Sequence, residues 1–312
     1  MSTTPPRRPN AKKAVSKLAV PPAKRTVSVA RAAEVADDHE GRISALLKCQ
    51  MRGSAAAGEC SWRLVSFKNA NQERRAAVAW IIADTIIKTR CGPSPAYQLW
   101  RNAALAGQAL TGRDRLICWP FLDLYGDPDN PPEATDHLEG HVNEWLWYLL
   151  TRELDNRHIV VVEGPSFYVT DSGGDGFVIY RSQDAELMFR LWELKKHLSA
   201  SPVSKTVNRA YKQLFDRGDK YLAQLTAVLA DESEEVRDFC ALLVELWVDA
   251  DERAGLGVGV TSSSGRPIEP FNKMAKKFPS FAAAGQLEGL FCALDDYRGL
   301  AREVRRMVWN AL

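Results

Sequence analysis

Three short apolar runs, crowded between two long helical ones, limit most narrowly what this chain can fold into. "RHIVVVEGP", "GFVIYR" and "LMFRLWELKKHL" are rich in β-branched and aromatic residues and are bounded by Gly, Pro, Asp and Ser, which is how strands read in sequence. Before them, "DHLEGHVNEWLWYLLTREL" (136–154) predicts a helix started by Thr135 or Asp136. After them, the pattern predicts a long helix over about 204–229, another over 233–252, a strand "LGVGVTS" (256–262), and closing helices from about 267 and 282. Strands placed among helices in this way bury their faces only as one sheet with helices packed on it. The expected class is mixed α/β.

The third run carries a contradiction. In "RLWELKKHL" a strand alternates its side chains between two faces, so Glu193 and Lys195 share one face with Leu191, while Trp192 and Leu194 fill the other. A carboxylate and an ammonium side by side in an apolar strand belong either to a solvated edge or to a reactive site. Asp175 lies in "SGGDGFVIYR", at the glycine-rich entry to the preceding strand, and the short connection "SQDAE" makes a hairpin that would bring Asp175 beside Glu193. Glu144, on the helix before, can close the group. Two or three carboxylates form a site for a hard cation such as Mg²⁺, which binds oxygen and keeps places for water and phosphate. The neighbouring lysine can orient or deprotonate an attacking water and stabilise charge on a scissile phosphate.

The arrangement "GGDG", then "WELK", with Glu144 on the preceding helix, resembles the PD-(D/E)xK nuclease superfamily over about residues 136–262, with "GGDG" in place of the PD element. Within it, the chain is similar to the Hachiman anti-phage effector family in His141-Val142-Asn143-Glu144, Gly173-Gly174-Asp175 and Glu193-Leu194-Lys195. It departs in having no proline before Asp175 and in Leu194, where a small residue is usual. The resemblance implies an α-β-β-β-α-β core and Mg²⁺-dependent (or Mn²⁺-dependent) cleavage or nicking of DNA in bacterial defence, beside a separately encoded helicase; the residues themselves do not distinguish DNA from RNA. It also implies Asp175 and Glu193 as metal ligands, Lys195 as the water-activating group, Glu144 as an outer ligand or general base, and His141 as its support. The alternative is a catalytically silent nucleic-acid-binding or scaffolding subunit on the same fold.

Lys205, Arg209 and Lys212 recur at i, i+4, i+7 after the motif and predict a stripe that tracks phosphates, with Tyr211 and Tyr221 interleaved and Gln213 or Gln224 available to orient the lysine. His197 follows the motif on the Lys195 face, to contact substrate or cap the strand. "HLEGH" is not a HExxH zinc motif, because Leu138 stands where the glutamate belongs; His137, His141 and Glu144 would be the residues of a different zinc arrangement. There is no G-x-S-x-G, G-x-G-x-x-G or GK[ST], so no nucleotide cofactor is expected on this chain.

The rest of the sequence divides by composition. Residues 1–31 carry eight Lys or Arg and no acid, leaving 33 basic and 39 acidic residues beyond them. Rich in Pro and Ser, residues 1–37 read as a disordered basic tail. Residues 38–112 read as a helical accessory region: "GRISALLKCQM", then "NQERRAAVAWIIADTIIKTR" started by Asn71, then "SPAYQLWRNAALAGQAL" with Ser94 as cap, Pro95 first in the helix and Gly112 after its end. "LICWPFLDLYG" (116–126) reads as extended, inside a nuclease-like domain of residues 113–312. Six scattered cysteines without a CxxC point to reduced thiols and a cytoplasmic protein. The longest apolar run, "AAVAWIIADTII", is broken by Asp84 and falls short of the roughly 20 residues that span a bilayer, so no membrane association is expected.

Overall fold

Strand geometry sets one face of the sheet from a single alternation. In the computed structural model, which describes residues 26–68, 71–123, 125–126, 136–155, 157–165, 175–263 and 267–312, Trp192 pairs with Gly257 and Leu194 with Gly259 on the neighbouring strand. A Cβ on Gly257 would lie 2.2 Å from the Trp192 ring, and one on Gly259 would lie 2.5 Å from Leu194. The large side chains of one strand therefore lie across the bare backbone of the next, and "LGVGVTS" needs its glycines for that close approach.

In chain order the elements are α1 (Val29–Asp37), α2 (Ile43–Leu46), β1 (Leu47–Gly53), β2 (Cys60–Phe67), α3 (Gln72–Cys91), α4 (Ala96–Ala106), α5 (Gly112–Leu122), α6 (Asp136–Leu154), β3 (His158–Glu163), β4 (Gly176–Arg181), β5 (Leu187–His197), α7 (Val203–Val228), α8 (Glu234–Cys240), α9 (Leu243–Val248), β6 (Leu256–Ser262), α10 (Met274–Lys277), β7 (Leu287–Ala293) and α11 (Tyr297–Trp309). Among the described residues, seven strands form one mixed sheet in the order β1-β2-β7-β6-β5-β4-β3. β2, β7, β6 and β5 run parallel in its middle. The β1–β2 hairpin closes one side, and the antiparallel run β5-β4-β3 closes the other.

Two apolar cores lie on opposite faces. Val178, Tyr180, Trp192, Leu194, Leu290 and Cys292 pack with α1, α3, α6 and α11. Phe177, Ile179, Phe189, Leu191, Val258, Val260 and Phe291 pack with α7, α8, α9 and α10. The period-two exchange of neighbours between the two cores makes three layers, helices–sheet–helices, as parallel strands require. The expected mixed α/β class with one helix-covered sheet is what the chain adopts.

Several elements differ from the sequence expectation. Residues 38–112 are not purely helical: "GRISALLKCQM" is helical only at Ile43–Leu46 and then becomes β1, whose Lys48, Gln50 and Arg52 alternate with less polar residues, and "CSWRLVSF" is β2. Residues 116–126 were expected to be extended, yet α5 covers Gly112–Leu122, with Pro120 in its last turn, where the missing N–H costs the helix one backbone bond, that to the Leu116 carbonyl. The α4 cap is Pro95, with the Ser94 hydroxyl accepting from the Ala96 N–H, and the helix ends at left-handed Gly107 rather than at Gly112. The helix expected over 233–252 is broken at Ala241–Leu242 into α8 and α9. "LEGLFCA", expected to be helical, is the inner strand β7, between β2 and β6. Within the basic tail, residues 29–37 form α1, capped by Ser28; residues 1–25 lie outside the described residues, as do the glycine-rich turn at Gly173-Gly174 and the Thr135 cap. Asn71 caps α3 as expected, its side chain accepting from the Arg74 N–H. No helix among the described residues is long and apolar enough to cross a membrane.

Candidate functional site

The β4–β5 register places the polar residues. Gly176 opens β4 opposite Trp192, so the same register continued by one residue sets Asp175 opposite Glu193. A side chain at Gly176 would strike the Trp147 ring of α6 at 2.7 Å, so glycine there lets α6 approach the strand entry closely. Glu144 lies one helical turn before Trp147.

The Asp175 Oδ2 accepts a hydrogen bond from the Leu194 backbone N–H at 2.8 Å and lies 3.5 Å from Lys195 Nζ. Lys195 Nζ also donates to Glu193 Oε1. Glu193 is wholly buried and its second oxygen, Oε2, has no hydrogen-bond partner. Asp175 and Lys195 are 19% and 20% exposed. Trp192 and Leu194 are buried on the opposite face, as the alternation predicts.

The electrostatics follow from burial. Desolvation first, and then the negative charge of Asp175, push the Glu144 carboxyl up to about 8, while Lys195 pulls the other way. Burial and Asp175 likewise raise Glu193 above the carboxylate range, against Lys195. Burial disfavours the Lys195 ammonium, but Asp175 and Glu193 outweigh it and raise its pKa. Lys195 thus pairs with two acids, Asp175 and Glu193, and Glu144 feels the charges of Asp175 and Lys195 from α6.

The other expected residues divide. His141 is buried: its Nδ1 lies 2.8 Å from the Tyr125 hydroxyl, and its Nε2 accepts from the Trp145 indole N–H at 3.1 Å. An Nε2 that accepts fixes the neutral ring with its proton on Nδ1, which then donates to Tyr125. These two bonds place His141 in an aromatic cluster with Tyr125 and Trp145. His137 is exposed, and among the described residues no three or more His, Cys, Asp or Glu side chains are gathered as a preformed metal-binding group. His197 neither caps the strand nor faces outward; it is buried, with Nδ1 2.8 Å from Thr206 Oγ1, and ties the end of β5 to the first turn of α7. Lys205, Arg209 and Lys212 are all exposed along α7. Tyr211 and Tyr221, expected among them, instead face the core, since a helix that buries Val207, Ala210, Leu214 and Leu222 must turn the same stripe inward. Gln213 donates to the Tyr221 hydroxyl at 3.2 Å rather than to the lysine, and Gln224 is exposed.

Asn143 is the residue the motif reading passed over. It is buried on α6, and its Oδ1 accepts from the Thr261 hydroxyl on β6, which fixes the helix that carries Glu144 to the sheet. The signal lay inside the quoted "HVNE": an amide on the apolar side of a helix must find a partner. On the other face of β5, Lys196 pairs with buried Glu139 of α6 at 3.5 Å, and Arg298 pairs with the same carboxylate at 3.3 Å. Two cavities of about 560 and 600 Å³ flank the exposed Ile268, and neither is lined by Asp175, Glu193 or Lys195.

No protein-family model matches the chain, and no curated protein is significantly similar to it in sequence.

Proposed function

We propose that this chain is a metal-dependent nuclease of the PD-(D/E)xK type, hydrolysing phosphodiester bonds of DNA with Mg²⁺ or Mn²⁺. The observation that carries the reading is the meeting of Asp175, Glu193 and Lys195 at adjoining positions of β4 and β5. The order α6-β3-β4-β5-α7 and then, after the two short helices α8 and α9, β6 parallel to β5, supports the α-β-β-β-α-β core that the motif implies.

The donor set suits a hard cation. Asp175 and Glu193 offer carboxylate oxygens, and Glu193 Oε2 is a buried oxygen without a partner, which a cation would satisfy. Asp175 and Glu193 would hold the ion, with Glu144 as an outer ligand or base. When bound, the ion supplies a polarised phosphoryl group and a more acidic water. Glu193 is held in place by its buried neighbours Trp192 and Leu194, and Asp175 by the Leu194 N–H. Lys195 stabilises negative charge on the phosphate oxygens and orients the attacking water. The exposed Lys205, Arg209 and Lys212 would run along the phosphate backbone, with RNA as the other polymer the same contacts would take. A defence role and a separate helicase partner belong to the same proposal and rest on the motif resemblance.

The purified chain should cut or nick plasmid DNA in Mg²⁺ or Mn²⁺ and not in EDTA. Glu193→Ala and Lys195→Ala should each lower the rate by a factor of about 100 or more with the fold intact. Undiminished cutting by either variant removes the site assignment. One observation favours a second reading, a silent nucleic-acid-binding or scaffolding subunit: Lys195 already meets both acidic side chains, as it would in a purely structural ion cluster. DNA binding without cutting, with the helicase partner present, would decide for that reading.

A further inference from the structure

The cation position of this site is already taken by a cation of the chain itself. Lys195 Nζ reaches Asp175 Oδ2 at 3.5 Å and Glu193 Oε1, one oxygen of each acid that would hold a cation. The fit is incomplete, because Glu193 Oε2 is buried beside the pair with no partner. A buried carboxylate oxygen left in this way is costly, and a single ammonium reaching one oxygen of each acid does not relieve it.

The surroundings decide which partner can move. Glu193 is wholly buried, and the residues on either side of it are locked: Trp192 over bare Gly257, and Leu194 over bare Gly259. Asp175 is pinned by the Leu194 N–H. Lys195 alone combines a long flexible stem with an edge open to water, at 20% exposure. An ammonium and a divalent ion cannot occupy one carboxylate pair together, since like charges at that spacing repel strongly in a partly desolvated site.

We infer that Lys195 is an exchangeable counter-ion, which closes the Asp175–Glu193 pair in the resting protein and is displaced toward the substrate side when a divalent cation enters. The inference rests on the nuclease reading of the site and adds a rule of its own: the residue that serves the chemistry also competes with the metal. It follows that removing Lys195 abolishes cleavage while strengthening metal binding, whereas a lysine that only buttresses the fold would weaken binding when lost.

The test uses Mn²⁺ alone, titrated into the metal-free full chain and followed by calorimetry or by the electron paramagnetic resonance signal of free Mn²⁺. Lys195→Met should bind Mn²⁺ about tenfold or more tighter than the unaltered protein, Lys195→Arg should stay within about threefold of it, and Glu193→Gln should lose saturable binding. Equal or weaker binding by Lys195→Met overturns the exchange and leaves the nuclease reading standing, provided Glu193→Gln still loses the ion. No saturable binding by either the unaltered protein or Lys195→Met overturns both. A second measurement needs no variant: reductive methylation of Lys195, read by mass spectrometry, should rise about threefold or more when Mn²⁺ is added. An unchanged or slower rate overturns the exchange.

Discussion

Trp192 shows how much of the site is decided by residues that do no chemistry. Its ring sits 5.9 Å, centroid to centroid, from that of Trp147, and covers the backbone of Gly257. With α6 on one side and β6 beneath, the indole has nowhere to retreat, and the backbone it anchors carries Glu193 on the other face. Gly257→Ala would put a methyl 2.2 Å from ring carbons, so it should lower stability by about 3 kcal/mol, measured by urea unfolding. Gly140, inside α6, is the contrast: nothing lies within 4 Å of where its Cβ would be. Gly140→Ala should be neutral or stabilise by about 0.5–1 kcal/mol, since alanine loses less chain entropy in a helix. At this scale the sequence is readable where side-chain direction follows from period two, as it does for Glu193, Lys195, Trp192 and Leu194. It is not readable where a role depends on a partner far along the chain, as with Asn143 and Thr261, or His197 and Thr206.

Among the elements, the strand meander β3–β4–β5 is secured at the end away from the candidate site by a buried charge clasp. Arg157, just before β3, bonds the Asp155 carboxylate at 2.7 Å and Glu288 of β7 at 2.6 Å, and its guanidinium stacks 3.7 Å from the Tyr180 ring centroid. Arg190 of β5 approaches the same Glu288 at 3.4 Å. Burial works to raise Asp155, but the hydrogen bonds and charge of Arg157 outweigh it and leave the carboxyl below its ordinary 3.8. A depressed acid adds stability that is fully present above that ordinary value and is lost as pH falls through the lowered one. Asp155 is 2% exposed, so Asp155→Asn should cost on the order of 3 kcal/mol at pH 7 by leaving Arg157 short of a partner. The gap between variant and unaltered protein should narrow below about pH 4, and denaturant unfolding at pH 7, 5, 4 and 3 measures it. A gap that stays constant across that range would mean the carboxylate charge is not what holds the clasp. Elements built on local signals were legible, among them α3 with its Asn71 cap, β4, β5, α7 and β6. β7 and α5 were not, because "LEGLFCA" and "LICWPFL" are short apolar runs with no period of their own. Which becomes strand and which helix is settled by neighbours, here β2 and β6 on either side of β7.

The whole molecule is bound together across the place where composition suggests a domain boundary. Residues 38–112 supply two strands of the sheet, and β2 is the parallel partner that covers one edge of β7. They also supply α3, whose Ala76, Ala77, Val78, Ile82, Ile86 and Ile87 are buried in the same core as Leu300, Ala301, Val304 and Val308 of α11. A chain beginning at Arg113 would keep Asp175, Glu193, Lys195 and Glu144, yet it would expose the β7 edge and the apolar stripe of α11 together. An unpaired inner strand beside an uncovered helix face is a template for aggregation rather than a free-standing domain. Such a chain should therefore elute as aggregates in size-exclusion chromatography and show no cooperative thermal transition in near-ultraviolet circular dichroism. A chain beginning at Val27, which retains α1 packed on α3, should melt cooperatively within about 3 °C of the full protein, because it keeps every strand and helix described for the sheet and its two cores. A cooperative melt of the shorter chain would show instead that the candidate site is carried by a unit that closes without β2 and α3.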